Sequence, residues 1–203
     1  QKPLRLIKPS KTDKSQSITW DHYRKLFVNK DNIDKGKRFI SNHIVSLEKA
    51  QKNYGVPPEV IAAIIGIETK YGKNQGKFPV FDTLATLAFE SSGRENFFRG
   101  ELEAFILLCL DQGLQINKIK GSYAGALGIP QFMPSSWRTF AVDFDQNGKT
   151  NLLISPKDAI GSVANYLHKH GWDRNIPTHS VAIREPGSNA KQFFTYELQA
   201  EYK

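Results

Sequence analysis

The residue best suited to do chemistry is a single acidic side chain, Glu68, in the motif GIETKYG at residues 66–72. It follows an apolar run, VIAAII at residues 60–65, which is typical of a buried helix. A carboxyl group in that place loses hydration, and desolvation favours its protonated form. Such an acid can donate a proton near neutral pH, as cleavage of a glycosidic bond requires. The alternative is a solvated glutamate that points outward from the end of the helix.

A cluster of acidic residues forms DFDQNGK at residues 143–149, which matches the first half of an EF-hand loop. Calcium prefers oxygen ligands at alternate positions, here Asp143, Asp145, Asn147 and the carbonyl group of Lys149. Ile154 stands where the usual closing glutamate is expected, but Asp158 could close a longer loop. Asp158 also fits a capping box with Ser155, and the segment could instead form a hairpin built on an Asx turn.

A third candidate is the glycine-rich segment GSYAGALGIPQFMP at residues 121–134. Its glycines let the backbone pass close to a ligand, while Tyr123 and Phe132 offer flat faces on which sugar rings stack. Ser122 and Gln131 can form hydrogen bonds with hydroxyl or acetamido groups. The pattern is not a dinucleotide fingerprint, because the glycines do not follow the order GxGxxG and no strand is predicted before them. A tight structural turn remains the alternative.

The elements that carry these residues are predicted to be mainly helical. Pro57 and Pro58 fit the first turn of the Glu68 helix, and Gly72 fits its end. Ser155 is a typical N-cap. Further helices are predicted at residues 20–28, 32–54, 82–89, 101–110 and 155–170, and another is expected to begin at Pro134.

Three segments are expected along the chain. Residues 1–17 are rich in Lys, Ser and Pro and are predicted to form a flexible basic arm. Residues 18–173 hold the helices and all the candidate sites. Residues 174–203 contain two strand-like runs, at 180–183 and 192–196, and are predicted to form a short β-like tail that is an incomplete C-terminal part.

The net charge of +8 is concentrated at the start of the chain, where residues 1–40 hold eleven Lys or Arg against four Asp. This arm suggests an anionic partner such as nucleic acid, an anionic membrane or an acidic cell-wall polymer, with simple solubility as the alternative. A lone cysteine, Cys109, excludes an internal disulfide and is expected to be a core residue. No apolar run reaches the length of a membrane span.

Taken together, these motifs resemble the membrane-bound lytic transglycosylase B family of bacterial cell-wall enzymes. The resemblance covers residues 20–172, about three quarters of the chain. It is carried by WDHYR at 20–24, YGVPPE at 54–59, GIETKYG at 66–72, GELE at 100–103, the segment 121–136 and DAIGSVANY at 158–166. Several long motifs in one order make it highly specific.

The resemblance implies a mainly α protein with a lysozyme-like (α+β) catalytic core, an added helical lobe and a small β-like C-terminal part. It also implies cleavage of the β-1,4 bond between N-acetylmuramic acid and N-acetylglucosamine in peptidoglycan. Glu68 falls on the family's catalytic acid. The positions that line the sugar cleft fall on Tyr23, Ser122, Gln131 and Tyr166.

Two positions depart from the family pattern. Arg94 matches one of two adjacent basic residues in the cleft, whereas Gly93 replaces the other. Ile129 and Pro130 replace a more common aromatic-glycine pair. The family's calcium loop, with its late closing carboxylate, falls on Asp143, Asp145, Asn147, Lys149 and Asp158. A structural Ca²⁺ is therefore expected as cofactor.

These assignments leave Glu68 as the one acid in a cleft-like context, although glycosidases usually use two carboxylates. We therefore expect a single-acid route. Glu68 protonates the leaving oxygen and then accepts the proton of the sugar's C6 hydroxyl as a 1,6-anhydro ring closes. A peptidoglycan-binding module with an open cleft and little or no activity is the alternative.

The expected partners are peptidoglycan glycan strands. Nucleic acid is not expected, because the basic residues show little aromatic interleaving. The family further implies a monomer in the periplasm of a Gram-negative bacterium, attached to the outer membrane through a lipid anchor that is not part of this sequence.

Overall fold

The computed structural model describes residues 20–90 and 93–178. The helices within these ranges are α1 (Trp20–Phe27), α2 (Lys30–Asn42), α3 (Ile44–Tyr54), α4 (Pro58–Thr69), α5 (Val80–Glu90), α6 (Glu95–Gln112), α7 (Pro134–Phe140) and α8 (Pro156–Lys169). The strands β1 (Phe78–Pro79) and β2 (Lys120–Gly121) pair antiparallel, with Phe78 opposite Gly121. The prediction of a mainly helical protein is confirmed.

The chain divides into two compact units, Gln1–Asp173 and Arg174–Lys203. Every described helix and strand belongs to the first unit, and residues 174–178 are the described part of the second. The predicted basic arm and the strand-like runs at 180–183 and 192–196 lie outside the described residues. No helix in the described ranges is both long and apolar enough to cross a lipid bilayer.

The first unit is built around a hydrophobic core to which most of its helices contribute. α3 and α4 both pack against α8, while α5 packs along α6, which also contacts α7. Burial of apolar surface here provides the main driving force for folding. Cys109 lies in the core, as predicted, and burial raises the pKa of its thiol to about 11. The largest fully buried side chains are Phe105, Leu47, Ile61, Ile65, Leu84, Leu108, Leu127, Leu152 and Ile160.

The helix predicted over residues 32–54 is in fact two helices, α2 and α3. His43 separates them with φ −123° and ψ 21°, outside the helical region, and its backbone N–H donates to the last carbonyl groups of α2. The break occupies a single residue, so the apolar spacing continues across it and cannot reveal it.

The start of α6 also differs from the sequence-based expectation. This helix begins at Glu95, before the predicted start at Glu101, and its N-cap residue Arg94 makes no capping bond with its side chain. Sequence signals for a helix start rely on Ser, Thr, Asp or Asn at the N-cap, and this helix has none. By contrast α8 begins as predicted, with the Ser155 hydroxyl accepting a bond from the backbone N–H of Asp158 at 3.2 Å.

Candidate active site and metal loop

The proposed acid lies in the last turn of α4. The apolar sequence before it predicts burial on every face, and this is wrong. Ile61 and Ile65 are fully buried, whereas Ala63 is exposed and Ile67 is 59 % exposed. α4 therefore packs against α2, α3 and α8 and leaves Ala63 and Ile67 open to solvent. Glu68 is also exposed, so a ligand in solution can reach its carboxyl group.

Protein atoms around the carboxyl group of Glu68 nevertheless displace part of its hydration. This desolvation raises the pKa of Glu68 above its ordinary value. Within the described residues no hydrogen bond or ion pair engages its side chain. The group is thus open, unpartnered and shifted toward its protonated form, which are the properties of a general acid.

The chain turns sharply after Glu68. Lys70, Tyr71 and Gly72 follow one another in the left-handed region, with φ of 51°, 62° and 83°. Lys70 forms the C-cap of α4, so the helix ends at Thr69 and not at the predicted Gly72. Lysine and tyrosine rarely adopt a positive φ, and surrounding contacts have to offset the strain.

One such contact is the packing of Tyr71 back onto the helix that it follows. A Cβ atom at Gly66 would lie 2.5 Å from the tyrosine hydroxyl oxygen, and one at Gly36 of α2 would lie 2.9 Å from it. The Tyr71 ring also packs on Phe39, with ring centroids 5.1 Å apart. Gly36 and Gly66 thus leave room for the Tyr71 ring, and the packing of this ring stabilises the turn beside Glu68.

A buried threonine connects the end of α4 with the glycine-rich loop. Thr69 is 1 % exposed, and its hydroxyl group donates to the carbonyl oxygen of Ile129 at 2.7 Å. The Thr69 hydroxyl oxygen in turn accepts a bond from the backbone N–H of Gly72 at 2.9 Å. The Thr69 side chain therefore joins the turn after Glu68 to the loop that follows β2.

Ser122 and Gln131, the sugar-binding candidates of this loop, are both tied into its backbone. The Ser122 hydroxyl oxygen accepts the N–H groups of Ala124 at 3.2 Å and Ala126 at 3.0 Å. Gln131 has φ of 52°, and its amide nitrogen donates to the carbonyl oxygen of Gly128 at 2.9 Å. Within the described ranges, no hydrogen bond engages the hydroxyl proton of Ser122 or the amide oxygen of Gln131, so both can bond to a ligand.

The glycines of the loop bring its backbone close to the protein itself. A Cβ atom at Gly125 would lie 2.4 Å from a methyl carbon of Leu84, and one at Gly128 would lie 2.6 Å from the carbonyl oxygen of Leu152. The prediction that the glycines make room for a ligand is not needed to explain them. They are required by close packing of the loop on α5 and on the segment before α8.

Gln75 ties the turn after α4 to two other segments. Its side-chain amide donates to the backbone carbonyl oxygen of Leu153 at 2.9 Å. Its backbone carbonyl oxygen accepts a bond from the side-chain amide of Gln131 at 3.2 Å. Ile129 adds a backbone bond to the carbonyl oxygen of Leu152 at 2.8 Å. The turn, the glycine-rich loop and residues 152–153 form one hydrogen-bonded assembly at the Glu68 end of α4.

The remaining cleft candidates lie on three different helices. Tyr166 of α8 packs on Phe132 of the loop, with centroids 5.4 Å apart, and so borders the same assembly. Tyr23 is half-exposed on α1, and Arg94 stacks on Phe97 with its guanidinium carbon 4.4 Å from the ring centroid. In the described ranges, no hydrogen bond or ring contact joins Tyr23 or Arg94 to the loop.

The acidic loop brings three carboxylates together. One oxygen from each of Asp143, Asp145 and Asp158 lies within 4.8 Å of the others. Asp158 is fully buried, and its side chain accepts the N–H groups of Phe144 at 2.9 Å and Asn151 at 2.8 Å. Its carboxylate therefore serves the loop and not the predicted capping box, although its backbone N–H is still capped by the serine hydroxyl.

The donor set fits a hard divalent cation. One carboxylate oxygen of Asp145 is buried and has no hydrogen-bond partner among the residues that the structure describes, which is costly unless a cation compensates it. Asp143 accepts the N–H groups of Asn147 at 3.0 Å and Gly148 at 2.7 Å, which curls the loop as an Asx turn would. Lys149 donates its N–H to the side-chain oxygen of Asn147 at 2.9 Å. Calcium favours such all-oxygen sites.

Comparison with known proteins identifies the family. A family model described as the transglycosylase SLT domain matches residues 2–200. The chain belongs to this family. It is 45 % identical over 187 residues to the membrane-bound lytic murein transglycosylase B of Escherichia coli (strain K12), which covers 92 % of this chain and 50 % of that protein. The resemblance seen in the motifs is confirmed.

Two solved structures share the fold. The soluble lytic transglycosylase SltB1 of Pseudomonas aeruginosa is 48 % identical, with a TM-score of 0.75 over 77 % of this chain and 52 % of that one. The Escherichia coli lytic transglycosylase SLT35 in complex with calcium is 48 % identical, with a TM-score of 0.74 over 76 % and 49 %. These matches confirm the lysozyme-like fold. The chain spans about half the length of these relatives.

Proposed function

We propose that this chain is a peptidoglycan lytic transglycosylase in which Glu68 is the catalytic acid and base. The observation that carries the proposal is the state of Glu68, an exposed carboxyl group with a raised pKa that no hydrogen bond or ion pair engages in the described part of the chain. It lies beside a loop that presents Ser122 and Gln131. Both similar solved structures and the Escherichia coli relative are named lytic transglycosylases, which supports the same chemistry here.

A single-acid route agrees with how the other carboxylates are engaged. Asp143 and Asp158 accept backbone N–H groups in the acidic loop, and buried Glu101 accepts two bonds from Ser135. Among the described residues, no hydrogen bond or ion pair brings a second carboxylate to Glu68. The second step is therefore assigned to the same residue.

The proposed reaction has two proton transfers. Glu68 first gives its proton to the glycosidic oxygen as the bond from C1 of N-acetylmuramic acid breaks, while the N-acetyl oxygen of that sugar stabilises C1. The resulting carboxylate then takes the proton of the C6 hydroxyl, whose oxygen closes on C1. The product is a 1,6-anhydro sugar end, and no water is consumed.

Mass spectrometry of digested peptidoglycan tests the reaction. Wild type, Glu68→Gln and the control Glu59→Gln, an exposed glutamate in the first turn of the same helix, are incubated with purified peptidoglycan. We expect products one water lighter than hydrolysis products from wild type and control, and none from Glu68→Gln. Products of full mass would identify a hydrolase. Binding without products would identify a glycan-binding module, and substantial activity of Glu68→Gln would remove Glu68 from the mechanism.

We propose further that the loop binds a structural Ca²⁺ through Asp143, Asp145, Asn147, Asp158 and the carbonyl group of Lys149. The support is the carboxylate cluster, the unpartnered oxygen of Asp145 and the calcium complex of SLT35. When bound, the ion supplies charge compensation to the loop and takes no part in the reaction. At fixed pH, a chelator should lower the melting temperature and calcium should restore it; a melting temperature indifferent to both would exclude the site.

The proposed partner is the glycan strand of peptidoglycan, and the proposed location is the periplasm at the outer membrane. The Escherichia coli relative is described as membrane-bound and as acting on murein, the peptidoglycan polymer. The net charge of +8 also suits a carboxylate-bearing cell wall. Fractionation of the source cells tests the location, and recovery in the cytoplasmic fraction would contradict it.

A further inference from the structure

Thr69, the residue after the proposed acid, makes an unusual hydrogen bond. A threonine in a helix commonly returns its hydroxyl proton to the carbonyl oxygen four residues earlier, here that of Ile65 at 3.3 Å. The hydroxyl has one proton, and the carbonyl oxygen of Ile129 is closer, at 2.7 Å. At that distance the bond to Ile129 is the stronger of the two. The proton of Thr69 is therefore directed out of α4 and into the glycine-rich loop.

This bond is the direct polar link between the Glu68 end of α4 and the loop. Among the described residues, no other hydrogen bond joins residues 66–72 to residues 121–134. Gly72 contributes no polar side chain, and a Cβ atom placed there would lie 3.3 Å from the side chain of Ile129. This side of the turn therefore faces the loop through apolar atoms. Gln75 adds an indirect link, because its side chain donates to the carbonyl oxygen of Gly72 and its backbone carbonyl oxygen accepts a bond from Gln131. The Thr69 hydroxyl is thus the direct polar contact that sets the register between the helix end and the loop, alongside this bridge and apolar packing.

The position of the Glu68 carboxyl group depends on this register. Its own side chain has no hydrogen-bond partner among the described residues, so its location follows the backbone of the last turn of α4. Thr69 is the next residue and is buried, whereas Glu68 is exposed. A shift of the helix end relative to the loop therefore moves the acid relative to Ser122 and Gln131.

We infer that Thr69 is a positioning residue, whose hydroxyl group holds Glu68 at the correct distance from the sugar-binding loop. The inference rests on the proposed function, because it assigns Thr69 a role in that reaction. Loss of the hydroxyl should chiefly affect the chemical step. A displacement of about 1 Å can reduce kcat by about a hundredfold, while binding groups on the loop stay in place.

The test compares valine and serine at position 69 with a matched change elsewhere. Thr69→Val keeps the shape and removes the hydroxyl, whereas Thr69→Ser keeps the hydroxyl. The control is Thr83→Val in α5, where a buried threonine donates to the carbonyl oxygen of Pro79 at 2.8 Å. Initial rates on a soluble glycan oligomer give kcat and KM, and thermal unfolding gives the stability of each variant.

We expect Thr69→Val to lower kcat by about 10- to 100-fold with KM changed less than about threefold, while Thr69→Ser stays within about threefold of wild type. Thr83→Val should lose comparable stability and keep its kcat. Equal kcat for the two valine variants would overturn the inference, as would failure of serine to restore kcat. If Thr69→Val does not fold, Thr69→Ala is compared with Thr83→Ala by the same criteria. Alanine places no methyl group against the carbonyl oxygen of Ile129.

The two proposals fail differently. An inactive wild type, or a Glu68→Gln variant that keeps activity, rejects the proposed function itself. An active wild type with an inactive Glu68→Gln and an unaffected Thr69→Val rejects the positioning role alone.

Discussion

Replacement of one carboxylate in the acidic loop should change stability in opposite directions with and without calcium. In Asp145→Asn, one of three carboxylates whose oxygens lie within 4.8 Å loses its charge. Two unit charges at that separation repel by about 3 kcal/mol at an effective dielectric constant of about 20. Backbone N–H groups that bond to Asp143 and Asp158 offset part of this repulsion. We therefore expect the free energy of unfolding of calcium-free Asp145→Asn to exceed that of calcium-free wild type by about 1–2 kcal/mol.

With calcium bound, wild type should be more stable than Asp145→Asn. A ligand at a hundred times its dissociation constant stabilises the folded state by about 2.7 kcal/mol. Asp145→Asn loses a charged ligand, so most of that gain should disappear from the variant. For a protein of this length, 1 kcal/mol corresponds to a shift of about 2–4 °C in melting temperature. The variant should thus melt a few degrees above wild type in chelator and a few degrees below it in calcium.

Thermal unfolding in both conditions measures the effect, with Asp82→Asn as control because Asp82 is an exposed carboxylate in α5, away from the loop. The control should show one small shift that is independent of calcium. If Asp145→Asn melts below wild type in chelator as well, the carboxylates are not in mutual repulsion. If calcium raises both proteins equally, the cation does not bind at Asp145.

Three further substitutions follow from single features of the structure. Because the pKa of Glu68 is raised in the folded state, the folded state favours the protonated carboxyl group, and this stabilisation is lost as pH rises through the folded-state pKa. Glutamine stays neutral, so Glu68→Gln should melt above wild type at pH 7 and at the same temperature as wild type below about pH 4. Glu101→Gln should lose about 1.5–3 kcal/mol in denaturant unfolding, because the buried carboxylate accepts both the N–H and the hydroxyl group of one serine. Gly128→Ala should lose more than about 2 kcal/mol, since φ is +71° and the new methyl group would lie 2.6 Å from a carbonyl oxygen.

Each of these substitutions has a control or a contrary outcome. A lower melting temperature for Glu68→Gln at pH 7 would contradict the desolvation of Glu68. Exposed Glu103→Gln should change stability by less than about 0.5 kcal/mol. A loss there equal to that of Glu101→Gln would contradict the stabilising role of the two bonds from Ser135 to Glu101. At Gly100, within α6, an added Cβ atom would meet no other atom within 4 Å, so Gly100→Ala should raise the free energy of unfolding by about 0.5–1 kcal/mol. A rise for Gly128→Ala as well would refute the steric argument.

The sequence predicts the helical fold and the local motifs because their signals lie within a few residues. Ser155 and Pro156 mark the start of α8, and the spacing of Asp143 and Asp145 indicates a loop that curls around a cation. The exposure of Glu68 is different. An all-apolar stretch cannot show which of its faces a neighbouring helix will cover, so α4 was open on a side that its composition assigns to the core.

Contacts between distant segments are the part that sequence could not supply. Thr69 bonds a carbonyl group 60 residues away, and Gln75 bonds one 78 residues away. Backbone carbonyl groups are identical at every position, so such partners leave no residue signature. Asp158 shows the same limit, since its position in a helix start suggests a capping box as readily as a loop ligand. The fold turns its carboxylate away from the capping box, because the backbone N–H groups of Phe144 and Asn151 donate to its oxygens.

The packing of Tyr71 on Gly66 couples the sizes of the residues that these two positions can hold. The two positions share one volume, because a single added carbon at Gly66 would overlap the tyrosine hydroxyl group. A larger residue at position 66 therefore requires the Tyr71 ring to move or a smaller residue to stand at position 71. Glu68 lies between them in the chain. A substitution at position 66 should therefore displace the Tyr71 ring and the turn after α4, even though it leaves the proposed acid itself unchanged.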